Sequence, residues 1–234
     1  MKSANKVLLN QSTYFIAGTD TDVGKTVCTR ALLQAAKQQN KTTIGYKPIS
    51  AGCELTELGL RNQDALILQA NSSVNLPYND VNPIAFQQPV APHIAAIENG
   101  TFIDINIVNN GLQHLQNMNV DLVFVEGAGG WHLPIDNQFL LSDWVIEKQL
   151  PVILIVGLKL GCLNHALLTA KAIEQSGLVI AGWIANHLQP DMPYVVDNIE
   201  TLKTMINAPM LAEIPFIKGI NTTNLAEFVD VSFI

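Results

Sequence analysis

The stretch "GTDTDVGKT", residues 18–26, follows the apolar run Tyr14-Phe15-Ile16-Ala17 and ends in Gly24-Lys25-Thr26. A glycine-rich turn between a strand and a helix aims backbone N–H groups from the helix N-terminus at an anion. In that setting Lys25 would reach the β- and γ-phosphates of a nucleotide, and Thr26 would offer its hydroxyl to Mg²⁺. The usual motif has four residues between its glycines. Gly18 and Gly24 enclose five, and two of these, Asp20 and Asp22, are acidic. Carboxylates in a loop that holds polyphosphate need a reason of their own.

Three other residues join this set by position. Glu126 ends the apolar run in "LVFVEGAGG". An acid at the carboxyl end of a buried parallel strand lies at the ligand-binding edge of such sheets, where it can hold Mg²⁺ directly or through water. The Gly127-Ala128-Gly129-Gly130 run after it lets backbone approach a ligand closely. A solvated strand end is the alternative. Lys47, in "YKPISAG", follows a strand and would emerge at the same edge, the alternative being a surface lysine. Asp64 falls in the first turn of a helix in "RNQDALILQA", where it would otherwise complement the helix dipole. Together these residues describe an ATP·Mg site with a second lysine. They indicate phosphoryl chemistry without naming an acceptor.

Such side chains need a sheet to carry them. Strands are expected at residues 13–17, 43–46, 122–125, 152–156 and 179–185. Helices are expected at 25–39, with Cys28, Ala31, Leu32, Ala35 and Ala36 on one face, at 61–70, and at 164–176, capped by Asn164 and stopped before Gly177. Unbroken β-branched runs suit strands buried on both faces, each buried Val or Ile contributing roughly 1.5–3 kcal/mol. The expected class is α/β: a single-domain, three-layer α/β fold with a mostly parallel central sheet. No linker, charge block or repeat divides the chain. Residues 71–100, with Pro77, Pro83, Pro89 and Pro92, form a long ordered excursion of the functional kind.

Composition narrows the function classes. The 234 residues are 48% hydrophobic and carry a net charge of −7, which argues against a nucleic-acid-binding face and leaves room for a local cationic pocket. Cys28, Cys53 and Cys162 stand far apart, so neither a zinc knuckle nor a disulfide framework is indicated, and a reduced compartment fits. The apolar run before Asn10 is too short for a signal peptide. No run approaches the ~20 residues of a membrane span. A soluble, cytoplasmic protein with no membrane partner is expected.

"GTDTDVGKT", "GYKPISAG", "GLRNQDA", "VNPIAF", "APHIAA", "VEGAGGW", "QLPVILIVGLKLGCLNHALLTA" and "GWIAN" occur in one order over nearly the whole chain, roughly residues 13 to 217. In this the chain resembles the dethiobiotin synthetase family of the P-loop NTPase superfamily. The resemblance implies a 1–12 N-terminal extension and a single P-loop ATPase-like synthetase domain over 13–234. It also implies a homodimer with the substrate site at the interface, and the substrates 7,8-diaminononanoate, CO₂ or bicarbonate, and ATP, with Mg²⁺. The diamine would form a carbamate, the carbamate would attack the γ-phosphorus, and the second amine would close the ureido ring and expel phosphate.

The roles carried over are specific. Lys25, Lys47 and Asp22 would be catalytic. Asp22, Val23, Gly24, Lys25, Thr26, Val27, Asp64, Glu126, Gly127, Ala128 and Gly129 would contact ATP. Asn186 and its neighbour His187, together with Ile214-Pro215-Phe216, would meet the base. Thr26, Asp64 and Glu126 would hold the metal. Lys47, Ser50, Ala51 and the Gly161-Cys162-Leu163-Asn164 segment would hold the substrate, the segment taking its carboxylate at a helix N-terminus.

Asp22 then has a task, since a diamine is cationic until its amines lose protons. Asp20 is assigned to hydrogen bonding within its own turn, which is also the alternative for Asp22. Three positions depart from the family. Asp22 stands where Glu is frequent, and His187 where an acid is frequent. Ala51 stands where a hydroxyl is expected, with Ser50 one residue earlier. Replacing Lys25 or Lys47 by Ala is expected to remove turnover and leave the fold intact.

Rival readings are an amide-forming synthetase of cobalamin synthesis, a partition-type ATPase switch and a paralogue with an altered diamine-like substrate. The first needs a glutaminase domain for which 234 residues leave no room. The second needs a lysine before Lys25 that the loop lacks.

Overall fold

A computed structural model describes residues 13–220 and 223–230. The 1–12 extension lies outside the described residues. The central sheet is built from β1 (Thr13–Gly18), β2 (Thr43–Tyr46), β7 (Leu122–Glu126), β8 (Val152–Leu158), β9 (Ile180–His187) and β10 (Met210–Ile214). β1, β2, β7 and β8 are buried at every residue. This is why they read as continuous apolar runs without alternation. The order is β10-β9-β8-β1-β7-β2, and every pairing is parallel.

Between β2 and β7 the chain makes small elements. These are β3 (Ile49–Ser50), paired with β6 (Ile84–Ala85), and a hairpin of β4 (Glu54–Thr56) and β5 (Gly59–Arg61). The helices are α1 (Lys25–Gln38), α2 (Gln63–Asn71), α3 (Tyr78–Val81), α4 (Pro92–Glu98), α5 (Ile105–Gln116), α6 (Leu141–Glu147), α7 (Cys162–Gln175) and α8 (Val195–Met205). The expected apolar face of α1 is buried at all five positions.

Two helices differ from expectation at their starts. α2 begins at Gln63, because Asn62 is extended and its side chain accepts from the Ala65 N–H, 3.2 Å away. Arg61 belongs to β5 instead. α7 begins at Cys162 with left-handed Gly161 at its cap, so Asn164 lies inside the first turn and caps nothing. Helices α5, α6 and α8 and strand β10 go beyond the expected elements. The excursion over 71–100 is ordered as α3, β6 and α4.

Topology and register together choose the site. After α1 the chain enters the sheet at β2, then returns to β7 beside β1 before crossing to β8 on the other flank of β1. The connections therefore diverge about β1, and open α/β sheets bind ligands outside the carboxyl ends of their strands at such a point. Ile16 pairs with Glu126, and Tyr46 with Val125. Lys47, one residue beyond Tyr46, thus leaves the sheet level with Glu126.

Candidate active site

Residues 19–24 join β1 to α1 and are anchored along their length. The Thr19 N–H donates to the Ile155 carbonyl at 3.0 Å. The Asp20 carboxylate accepts from the Thr21 N–H at 2.8 Å and from Lys159 Nζ at 2.9 Å. Asn186 Nδ2 donates to the Val23 carbonyl at 2.9 Å. Gly24 has φ 84°, and a Cβ there would lie 2.1 Å from Asn186 Nδ2, so both the conformation and the space require glycine. Asp22 also has positive φ, 57°, a conformation that Asp tolerates better than most residues with a side chain.

Lys25 opens α1 and turns back over the loop. Its ammonium donates to the Gly129 carbonyl at 2.6 Å and the Asp20 carbonyl at 3.1 Å. Burial, then the nearby charge of Lys47, lower its pKa to about 8. No acidic residue lies in the first turn of α1. A buried cation and the positive end of a helix therefore face the same place, and an anion would satisfy both.

Lys47 has ionic partners. Its ammonium is buried and donates to Glu126 Oε1 at 2.7 Å, Asp64 Oδ2 at 3.2 Å and the Gly127 carbonyl at 3.2 Å. Burial pushes Lys47 down. The charges of Glu126 and Asp64 outweigh it, and its pKa lies above the ordinary lysine value. Burial raises Asp64, but Lys47, with help from Thr26, leaves its carboxyl below the usual range. Glu126 is fully buried. Its Oε1 also accepts from Thr26 Oγ1 at 2.8 Å, and its Oε2 lies 2.9 Å from Thr29 Oγ1. Thr29 shares its one proton between that oxygen and the Lys25 carbonyl, 2.8 Å away.

A cavity of about 830 Å³ opens over these groups. Asp22, Gly24, Lys25, Thr26, Val27, Lys47, Ser50, Ala51, Asp64, Ala128 and Gly129 line it, together with Pro89, Val90, Ala91 and Pro92 of the excursion. Val23, Glu126 and Gly127 stand behind this wall. The Ser50 hydroxyl is buried, donates to Asn82 Oδ1 at 2.8 Å and sits 3.2 Å from Cys53 Sγ. It lines the cavity and is hydrogen-bonded within the fold.

The other expected residues lie elsewhere on the same sheet edge. Asn186 packs behind the loop. His187 Nε2 is 2.8 Å from Glu213 Oε1, tying the ends of β9 and β10. Ile214 is buried, Pro215 is half-buried and Phe216 is exposed. None of these lines the cavity, nor do Gly161, Cys162, Leu163 and Asn164 at the start of α7. Gly161 and Asn164 are exposed and Cys162 is buried.

Three residues were not anticipated. Thr29 is one helical turn beyond Lys25, and the i+4 spacing along α1 was its available signal. Asn82 donates to the Lys47 carbonyl at 2.6 Å and fixes its backbone from the excursion. Lys159 meets Asp20 across 139 positions of sequence, and no local pattern announces such a pair.

The oxygen donors at the cavity wall suit a hard cation. Among the described residues no three His, Cys, Asp or Glu side chains gather to hold a metal. Thr26 and Asp64 put one hydroxyl and one carboxylate on the cavity wall, and the buried Glu126 carboxylate stands behind them. This is the partial shell a protein gives Mg²⁺ when phosphate oxygens and water complete the octahedron.

Comparison with known proteins bears on the whole chain. A family model described as an AAA domain matches residues 12–224. The chain is 49% identical over 221 residues to the ATP-dependent dethiobiotin synthetase BioD 1 of Salmonella typhi, covering 94% of this chain and 96% of that protein. It is 51% identical over 204 residues to the enzyme of the same name from Escherichia coli strain K12, covering 87% and 90%. Among solved structures it resembles a ParA family ATPase from Chlorobium tepidum at TM-score 0.54 and 16% identity, covering 92% of this chain and 90% of that one. Identity that low establishes a shared fold and nothing finer.

Proposed function

The chain belongs to the dethiobiotin synthetase family and is an ATP-dependent ligase of biotin biosynthesis, and we propose that the cavity between α1, Lys47 and the 89–92 segment is where it works. The substrates are ATP, CO₂ and 7,8-diaminononanoate. One observation carries the assignment: Lys25, at the start of α1, and Lys47, just past β2, line one cavity together with Thr26 and Asp64.

In the proposed reaction one amine of the diamine, freed of its proton, adds to CO₂ to form a carbamate. A carbamate oxygen then attacks the γ-phosphorus and ADP departs, leaving a carbamic–phosphoric anhydride. The second amine attacks the anhydride carbonyl, phosphate leaves, and the ureido ring is closed. Asp22 attracts the ammonium and helps remove its proton. Lys25 and the N-terminus of α1 hold the transferring phosphoryl group, and Lys47 holds the oxygens between carbamate and γ-phosphate. Thr26, Asp64 and Glu126 would hold Mg²⁺, which would supply charge neutralisation at the phosphates. Bringing carbamate and nucleotide together in one cleft is an orientation effect worth up to ~7–11 kcal/mol. Asn186, His187 and residues 214–216 serve the base.

The start of α7 takes the substrate carboxylate in a homodimer whose partner completes each site. Exposed Gly161, Asn164, Leu160 and Leu168 support that reading. Residues 13–234 act as one unit in the cytoplasm; no helix among the described residues is long and apolar enough to cross a membrane. The test is to incubate the protein with ATP, Mg²⁺, labelled bicarbonate and the diamine. Acid-stable label should require all four, and phosphate release without the diamine or label would overturn the assignment.

A further inference from the structure

We propose that Lys159 is a positioning residue for nucleotide binding, acting through Asp20 on the front of the phosphate loop. This rests on reading that loop as the ATP site.

Asp20 uses three separate atoms. Oδ1 closes its own turn on the Thr21 N–H, Oδ2 takes the Lys159 ammonium, and the main-chain carbonyl takes the Lys25 ammonium. A shift of Asp20 toward solvent would therefore move one of the two carbonyls that set the position of Lys25. Little slack exists here, since a Cβ on Gly18 would come within 2.9 Å of the Asp20 carbonyl and 3.0 Å of Lys25 Nζ.

Lys159 is suited to act as an anchor. It follows β8 directly, and its own carbonyl accepts from the Cys162 N–H at 2.9 Å, closing a turn onto α7. With Thr19 tied to β8 and Val23 tied to Asn186 on β9, the middle of the loop is held by Lys159 from the same flank of the sheet. Both side chains of the pair are about two-fifths exposed. Exposed ion pairs add little to folding stability, so the geometry of the loop, not stability, gives the pair its consequence. The Asp20 carboxyl is held below its usual range, chiefly by its hydrogen bond to Lys159. His165 also faces Asp20 from the first turn of α7.

The test compares the dissociation constant of ATP·Mg, measured by calorimetry on the full chain, for wild type, Lys159→Met, Lys159→Arg, Asp20→Asn and the Asp20→Asn/Lys159→Met double variant. Each of Lys159→Met and Asp20→Asn should weaken ATP by about fivefold, the upper end for an exposed pair. The double variant should be no weaker than the worse single, and Lys159→Arg should bind like wild type. Turnover at saturating ATP should fall less than the KM for ATP rises. Unchanged ATP affinity in Lys159→Met, additive losses in the double variant, or a lowered melting temperature with no change in affinity would each overturn the proposal. Asp20→Asn is isosteric and keeps the test decisive if a Lys159 variant folds poorly. A wild-type protein that binds ATP and makes no dethiobiotin would sink the functional reading, whereas normal synthesis with an unaffected Lys159→Met would sink this inference alone.

Discussion

Two lysines line one cavity, and their surroundings differ. Lys47 is closed into an ionic cluster: Glu126, fully buried, and Asp64 accept hydrogen bonds from its ammonium, and Thr26 and Thr29 hydrogen-bond to Glu126 as well. Lys25 is nearly as buried, yet its partners are two neutral carbonyls, and its pKa falls to about 8. The first lysine is electrostatically satisfied without a ligand. The second is satisfied only when an anion arrives. In the Lys47 cluster chemistry and stability are the same interactions. In the phosphate loop they separate.

The largest expected effect breaks the Lys47 side. Sequence alone predicts one outcome for both lysines, loss of turnover with the fold intact. Burial changes this for Lys47. Lys47→Ala should abolish label incorporation and also destabilise the fold by about 3–5 kcal/mol, because Glu126 would stay buried without its counter-charge. Adding Glu126→Gln should recover much of the stability in a urea titration and none of the activity. Full stability in Lys47→Ala alone would mean that the cluster is not held as described.

Lys25→Ala should lose turnover by about 10²–10³-fold with an unfolding midpoint at or above wild type, since a desolvated ammonium with no carboxylate partner is removed. A fall in stability as large as that of Lys47→Ala would erase the contrast between the two lysines.

What was legible in the sequence divides along the same line. Strand ends are predictable: β1, β2, β7 and β8 are runs without alternation, so Lys47 and Glu126 could be assigned to one edge before any coordinates, and their register puts them level. The pairing between them was not legible, because nothing in a linear pattern says that two residues at one edge point toward each other. The small β3–β6 pair and the β4–β5 hairpin are two- and three-residue strands, too short to show a period. Asn82, which fixes the Lys47 backbone, arrives from that region. At α7 the local signals misled: Asn164 is a good capping residue by type, but Gly161 takes the left-handed cap with no side chain to advertise it.

A smaller effect sharpens the comparison at Asp22. It lines the cavity near Lys25 with left-handed backbone, so Asp22→Asn keeps the conformation and removes the charge. Turnover should fall by about 10²-fold if the carboxylate handles the amine proton, with ATP affinity nearly unchanged. Asp22→Gly should match it in rate, because the backbone is easier still for glycine. If Asp22→Asn turns over normally, the carboxylate serves the loop and not the diamine.

The smallest effect lies farthest from the buried cluster. The Asp20 carboxyl titrates below its ordinary value of 3.8 in the folded chain, first through its hydrogen bond to Lys159. A depressed carboxylate stabilises the fold above the unfolded value, and the benefit is lost as pH falls through the folded one. Wild type should therefore melt slightly above Lys159→Met at pH 5–7, with the gap closing below pH 3.8. High salt should shrink the gap at neutral pH as well, because both groups are exposed. The Lys47 cluster should resist the same salt, since its ammonium and the Glu126 carboxylate are shielded from solvent. Melting curves of Lys159→Met and Lys47→Ala at low and high ionic strength would measure that difference, and equal salt sensitivity would mean that the exposed Asp20–Lys159 pair and the Lys47 cluster are not electrostatically distinct.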